Sequence, residues 1–357
     1  MKIFERLSLA LLTVFALTLA SCDDDDNGPS GEFAKGTFVV NEGNFLDADG
    51  SVSFINPDDG SVKQDLFGSV NNGLALGDVV QSMTIDGEFS YVVVNNSNKI
   101  EVVKANTFEA VHTIDGLSLP RYLTTLDGAG YVTEWVSFAD PGRVTKIDLE
   151  DHTAGESITV GYGAENILAH DGLLYVSNSF ENTVSVVDPQ AKEVIKTIEV
   201  GNSPGTLLLD EDEMIWVICG GGYDIDYIPL NDGKLVKLDP AESTDETSES
   251  VVLNVELATN LMAKAATNGA KDKIFYCVDN SVYSFDVSSN TAPSSAILTE
   301  ANANSFYGIG VNPEDDLLYL ADNKNFAGNG TVYRYTTAGQ PVDNKPAGRG
   351  PNGFVFK

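Results

Sequence analysis

The stretch Leu174-Tyr-Val-Ser-Asn-Ser-Phe-Glu-Asn-Thr-Val-Ser-Val-Val-Asp188 reads as two short strands around a polar break. Leu174 to Ser177 is aromatic and β-branched, Thr183 to Val187 alternates, and Asn178 to Asn182 interrupts them. Such runs, bounded by Asn and Asp, mark antiparallel strands and their turns. Outward from it the unit completes itself. Asn166 to Ala169 precedes it across a His170-Asp171-Gly172 turn, and Glu193 to Glu199 follows an Asp188-Pro189 turn. The next unit opens after Gly201-Asn202-Ser203-Pro204.

The same pattern recurs seven times. Its aromatic anchors are Phe38, Tyr91, Tyr131, Tyr175, Trp216, Tyr276 and Tyr319, spaced 53, 40, 44, 41, 60 and 43 residues apart. A period in the forties made of strands alone predicts an all-β, seven-bladed β-propeller. The chain ends Gly348-Arg-Gly-Pro351-Asn-Gly-Phe-Val-Phe356, with the spacing of Gly201 to Leu209. It therefore reads as an innermost strand whose partners, Thr37 to Val40 and Ser51 to Ile55, lie at the other end. Pairing them closes the ring and leaves no free sheet edge.

The 357 residues carry 53 acidic and 21 basic side chains, a formal charge of −32. That repels nucleic-acid backbones and anionic membranes alike. Residues 1–21 read as a signal peptide, with Lys2 and Arg6 ahead of the apolar run Leu7 to Leu19. Leu19-Ala-Ser-Cys22 resembles a bacterial lipobox, which implies lipidation of Cys22. Residues 22–35, with Asp23 to Asp26, read as an acidic tether, and 36–357 as one propeller. An acidic run after a lipidated Cys resembles the export signal of surface lipoproteins, so the expected location is the outer membrane, facing outward. Cys219 and Cys277 occupy corresponding strands of adjacent blades. Free buried thiols and a disulfide are both open, with blade geometry favouring the former.

Strands alternate direction, so within each blade the B–C and D–A loops share one face. They are the longer, aromatic-rich set, and long loops on a rigid scaffold are where binding concentrates. The ligand-binding candidates on this rim are Phe45, Gln81, Arg121, Tyr122, Trp135, Phe138, Tyr162, Glu165, Phe180, Tyr223, Tyr227, Phe306, Tyr307, Asn325 and Phe326. Aromatics with Asn and Gly suit a large, partly flat ligand. His112, His152 and His170 fall away from the rim, which weakens acid–base or metal chemistry there. No nucleophile elbow or phosphate-cradling loop is present. Asp47-Ala-Asp49 and Asp224-Ile-Asp226 supply only fragments of a Ca²⁺ shell and read as turn residues. The stretch Ala241 to Ser250 is polar and reads as an exposed loop.

The units built on Tyr175-Val-Ser-Asn178 and Asn182-Thr-Val-Ser-Val-Val-Asp188 resemble the YVTN (YncE-like) propeller repeats. Phe38-Val-Val-Asn-Glu-Gly-Asn44, Leu76-Gly-Asp-Val-Val-Gln-Ser-Met83 and Gly350-Pro-Asn-Gly-Phe354 narrow this to surface propeller lipoproteins. The resemblance is nearest to the cobalamin-binding, BtuG-like proteins that accompany TonB-dependent transporters. It implies non-enzymatic capture of cobalamin or a related corrinoid, delivery to an outer-membrane transporter, and no cofactor. Two other readings stand beside it. One is a protein-interaction or adhesion propeller. The other is a propeller hydrolase or lyase, with Glu165 and Asp78 as the nearest carboxylates. By itself the chain is expected to be monomeric.

Overall fold

Each repeat's aromatic anchor is a wedge between blades. In the computed structural model, which describes residues 31–223, 228–245 and 247–357, all seven anchors from Phe38 to Tyr319 are buried. Their strands form seven four-stranded antiparallel sheets. Blade four runs Ala164–His170, Leu173–Asn178, Thr183–Asp188 and Glu193–Glu199, strands A to D from the axis outward. The innermost strands touch one another in turn around the ring, and apolar clusters fill each space between blades.

Closure is as the repeat spacing predicts. Pro351–Phe356 is strand A of blade one and pairs with Thr37–Asn41, which pairs with Ser51–Ile55 and then Val62–Lys63. Phe354 and Phe356 pack on Tyr319 of blade seven at 5.6 and 5.1 Å between centroids. The Lys357 ammonium reaches the blade-two turn at Ala105 and Asn106.

The residue that ends strand B is the second device of the repeat. In four blades it ties down the loop by which the chain enters that blade. Asn41 accepts from the Gly348 amide at 3.0 Å, Asp322 from Asn304 at 3.3 Å, and Glu134 from Ser118. The buried Cys219 thiol takes the same role toward Gly201, and burial pushes its pKa up to about 12. Cys219 and Cys277 are both free, which removes the disulfide alternative.

Four expectations need correcting or placing. Residues 31–35, assigned to the tether, belong to the compact unit that begins at Gly31. Phe33 is buried edge-on against Phe54, because an aromatic ring at this position gains more from the core than from water. The signal peptide, Cys22 and the acidic run lie outside the described residues. The blade-five B–C loop is not a plain loop: Gly222–Tyr223 pairs with Pro229–Asn231 as an extra hairpin. Residues 241–250 are not simply solvated either. Pro240–Thr244 forms a 3-10 turn, and Lys196 of blade four donates to the carbonyls of Glu242, Asp245 and Ser248 at 2.7–2.8 Å. Three carbonyls around one ammonium hold the segment against its neighbour.

Candidate functional site

The second residue of strand A recurs at the same height in every blade. In order these are Asn352, Gln81, Arg121, Glu165, Gly205, a position filled by Lys264 just ahead of Ala265–Thr267, and Tyr307. Together they form a floor across the mouth of the axial channel, on the face of the B–C and D–A loops. The floor is continuously hydrogen-bonded over most of its circuit. Arg121 grips Glu165 with two parallel bonds, Nε to Oε2 at 2.8 Å and Nη2 to Oε1 at 2.7 Å. Its Nη1 donates to Gln81 Oε1 at 2.6 Å, and Gln81 Nε2 donates to the Tyr122 hydroxyl at 3.2 Å. Glu42, one residue past strand B of blade one, accepts from Tyr307 and Asn352, both at 2.9 Å. Lys264 donates to the carbonyls of Tyr307 and Asn352, each at 3.1 Å, and its ammonium lies 4.4 Å from the Tyr307 ring centroid.

These contacts set the electrostatics. Burial lowers the Lys264 pKa, and Glu42 and Glu165 pull the other way. Burial also raises the Tyr307 and Tyr122 phenols, with Glu42 adding to the first and Glu165 to the second, so both stay protonated, Tyr307 as donor to Glu42 and Tyr122 as acceptor from Gln81. Blade five contributes no side chain to the floor. A Cβ on Gly205 would meet the Ala263 carbonyl at 2.3 Å, so only glycine allows blades five and six this approach.

Above the floor stands an aromatic shelf from blades three and four. The Trp135 ring faces the Arg121 guanidinium at 4.1 Å and donates its indole N–H to Glu165 at 2.9 Å. Phe180 packs against Trp135 at 4.7 Å, and Phe138 stacks on Phe180 at 5.7 Å with planes 17° apart. Phe138 is 75% exposed and Phe180 42%, while Tyr162 borders them, half-exposed. The apolar surface is thus offered to solvent on a rigid mount. Gly163 adds to that rigidity: its φ is +69°, and a Cβ there would meet the Phe180 ring at 2.6 Å.

A second apolar wall stands three blades away, across the mouth. Phe45 and Leu46, 63% and 73% exposed, tip the B–C loop of blade one. Leu46 adopts φ 71°, a region disfavoured for a leucine by roughly 1–2 kcal/mol. The Asp78 carboxylate holds it there, accepting from the Leu46 amide at 3.0 and 3.1 Å. Arg349 clamps the loop's side through Asp47 at 2.9 Å and Asp49 at 3.1 Å, and donates to the Phe326 carbonyl. Asp47 and Asp49 are therefore ligands of a guanidinium, which accounts for them without Ca²⁺. Phe326 sits edge-on to Tyr307 at 5.4 Å, and Asn325 is exposed beside it.

Most candidates from the sequence do meet here. Phe306 does not: it is 2% exposed, with its ring against Tyr333 in the core. Its neighbour Tyr307 faces the mouth because successive strand residues point oppositely. Tyr223 lies in the extra hairpin; Tyr227, Asp224 and Asp226 lie outside the described residues. Glu42, Lys264 and Asn352 were missed as site residues. Only repeat equivalence signals two of them, since Asn352 and Lys264 fall where Arg121 and Glu165 fall in their own blades. The three histidines sit away from this face. His152 is buried in the C–D turn of blade three, against Phe89 and Tyr91.

No curated protein matches the chain in sequence. In structure it is similar to a quinonprotein alcohol dehydrogenase-like protein from Bacteroides thetaiotaomicron, at TM-score 0.68 and 16% identity, over 91% of this chain and 78% of that one. It is also similar to the periplasmic gluconolactonase of Pseudomonas aeruginosa, at TM-score 0.64 and 12% identity, over 90% and 98%. A functionally unknown protein from Desulfotomaculum acetoxidans aligns at TM-score 0.66 and 13% identity, over 90% and 98%. At such identities the likeness is one of fold alone. Over residues 35–349 the sequence matches a domain of unknown function, DUF5074, and the chain belongs to that family.

Proposed function

We propose that the protein is a non-catalytic capture module that takes a bulky, partly flat ligand on the mouth face. The carrying observation is the pairing of two exposed apolar walls, Trp135–Phe138–Phe180 and Phe45–Leu46, across a hydrogen-bonded floor. A small substrate would touch one wall; a ligand of corrinoid size would rest on both. The floor's carboxylates are engaged, Glu165 by Arg121 and Trp135 and Glu42 by Tyr307 and Asn352, which suits positioning better than proton transfer. Cobalamin, the ligand implied by the repeat's resemblance, is the first probe, and a TonB-dependent transporter is the corresponding recipient. Lipidation of Cys22 would anchor the protein at the outer membrane.

Isothermal titration of cyanocobalamin into residues 31–357 tests this reading. One-to-one heat is expected, with affinity weakened about tenfold or more by Trp135→Ala. Absence of heat at micromolar protein would remove cobalamin as the ligand.

A further inference from the structure

The floor of the mouth carries two cations and two anions, and it spends all four on itself. Arg121 faces Glu165 and Gln81; Lys264 is turned onto two backbone carbonyls; Glu42 is held by Tyr307 and Asn352. Both cations are also covered by rings, Arg121 by Trp135 and Lys264 by Tyr307. An anionic ligand would meet no free positive group on the floor or the shelf; Lys324 stands apart, on the blade-seven loop. To engage Arg121 it would have to displace Glu165 from a two-point pair and leave that carboxylate half-buried without its partner. At longer range, the net charge of −32 repels it. What the shelf does present is uncharged, the faces of Phe138 and Phe180, and the floor holds one unpaired neutral acceptor, the buried Asn352 Oδ1.

We infer that this face selects electrically neutral ligands. It reads them by ring contact and neutral hydrogen bonds, and rejects phosphate, sulfonate and carboxylate groups at the shelf. The inference rests on the capture reading, in that the face must take a ligand at all. It does not rest on that ligand being a corrinoid.

N-phenyl-1-naphthylamine and its 8-sulfonate differ by one negative charge and report binding by fluorescence. With residues 31–357, the neutral dye is expected to bind with an enhancement lost in the double variant Phe138→Ala/Phe180→Ala. The sulfonate is expected to bind at that shelf about tenfold more weakly or worse. Glu165→Gln frees the guanidinium, so it should strengthen sulfonate binding severalfold and make it fall between about 50 and 500 mM salt. The readout in that variant is the ratio of sulfonate to neutral-dye affinity, which should rise severalfold over wild type. Equal or tighter binding of the sulfonate at the wild-type shelf overturns the inference, as does failure of both dyes to bind there. Discrimination between the dyes without any heat from cyanocobalamin would retain it while removing the corrinoid.

Discussion

Trp216 illustrates what the anchoring aromatics do besides fill space. Its indole N–H donates to Asp210 at 2.9 Å, and Asp210, fully buried, pairs with Lys237 at 2.9 Å. Trp216→Phe keeps the ring but leaves that carboxylate short of a donor, and is expected to cost about 1–3 kcal/mol in urea unfolding. An unchanged midpoint would mean that another donor replaces the indole. His152 gives the fold a pH dependence. Burial, and then the neighbouring His112, hold its pKa below 6.5, while Asp148 and Asp151 oppose them. A depressed folded-state pKa means the unfolded chain binds the proton more readily. Stability from this group is thus complete above the unfolded value and is lost as pH falls through the folded one. His152→Gln should flatten the dependence of unfolding free energy on pH between about 7 and 5. An identical slope in the variant would assign the dependence to carboxylates. Cys219 and Cys277 are buried, with their thiols pushed upward by burial. Two thiols of the 31–357 protein should therefore react with Ellman's reagent only after unfolding.

At the scale of elements, ring closure rests on one strand. Pro351–Phe356 supplies the inner edge of blade one, the Asn352 floor residue, and two rings against Tyr319. Deleting the last ten residues exposes the edge of Thr37–Asn41 and opens the space between blades seven and one. Loss of a single cooperative melting transition is expected in calorimetry, whereas melting like the full chain would place closure elsewhere. Lys196 is a local counterpart. Lys196→Ala removes the donor to three carbonyls of the 240–250 segment, so limited proteolysis there should accelerate while dye binding at the mouth stays unchanged. Gly163→Ala belongs to the binding face instead. It pushes on Phe180 and should weaken ring contact with ligand without moving the melting midpoint far.

For the whole molecule, the repeat explains why a site exists at one mouth. Seven strand-A starts converge on the axis, and each blade varies the residue it delivers there. The same position that is Arg121 in blade three is Glu165 in blade four and Gly205 in blade five. Arg121, Glu165, Trp135 and Tyr307 were legible as mouth residues because strand direction assigns their loops to one face. Phe306 was misassigned because a strand's alternation is fixed only once its register is known, and one residue's shift turns a ring from solvent to core.

The sequence alone determined the number of blades, the pairing of the chain's two ends and the face that carries the long loops. Those follow from short-range pattern: alternation, turn residues and a repeated period. Only the tertiary structure decided that Arg121 faces Glu165, that Lys264 and Glu42 complete the floor, and that Phe33 joins the core. These contacts join different blades or the two ends of the chain, the latter up to 310 positions apart for Glu42 and Asn352 in blade one. No local pattern encodes them, since closing the ring is what brings them within bonding distance.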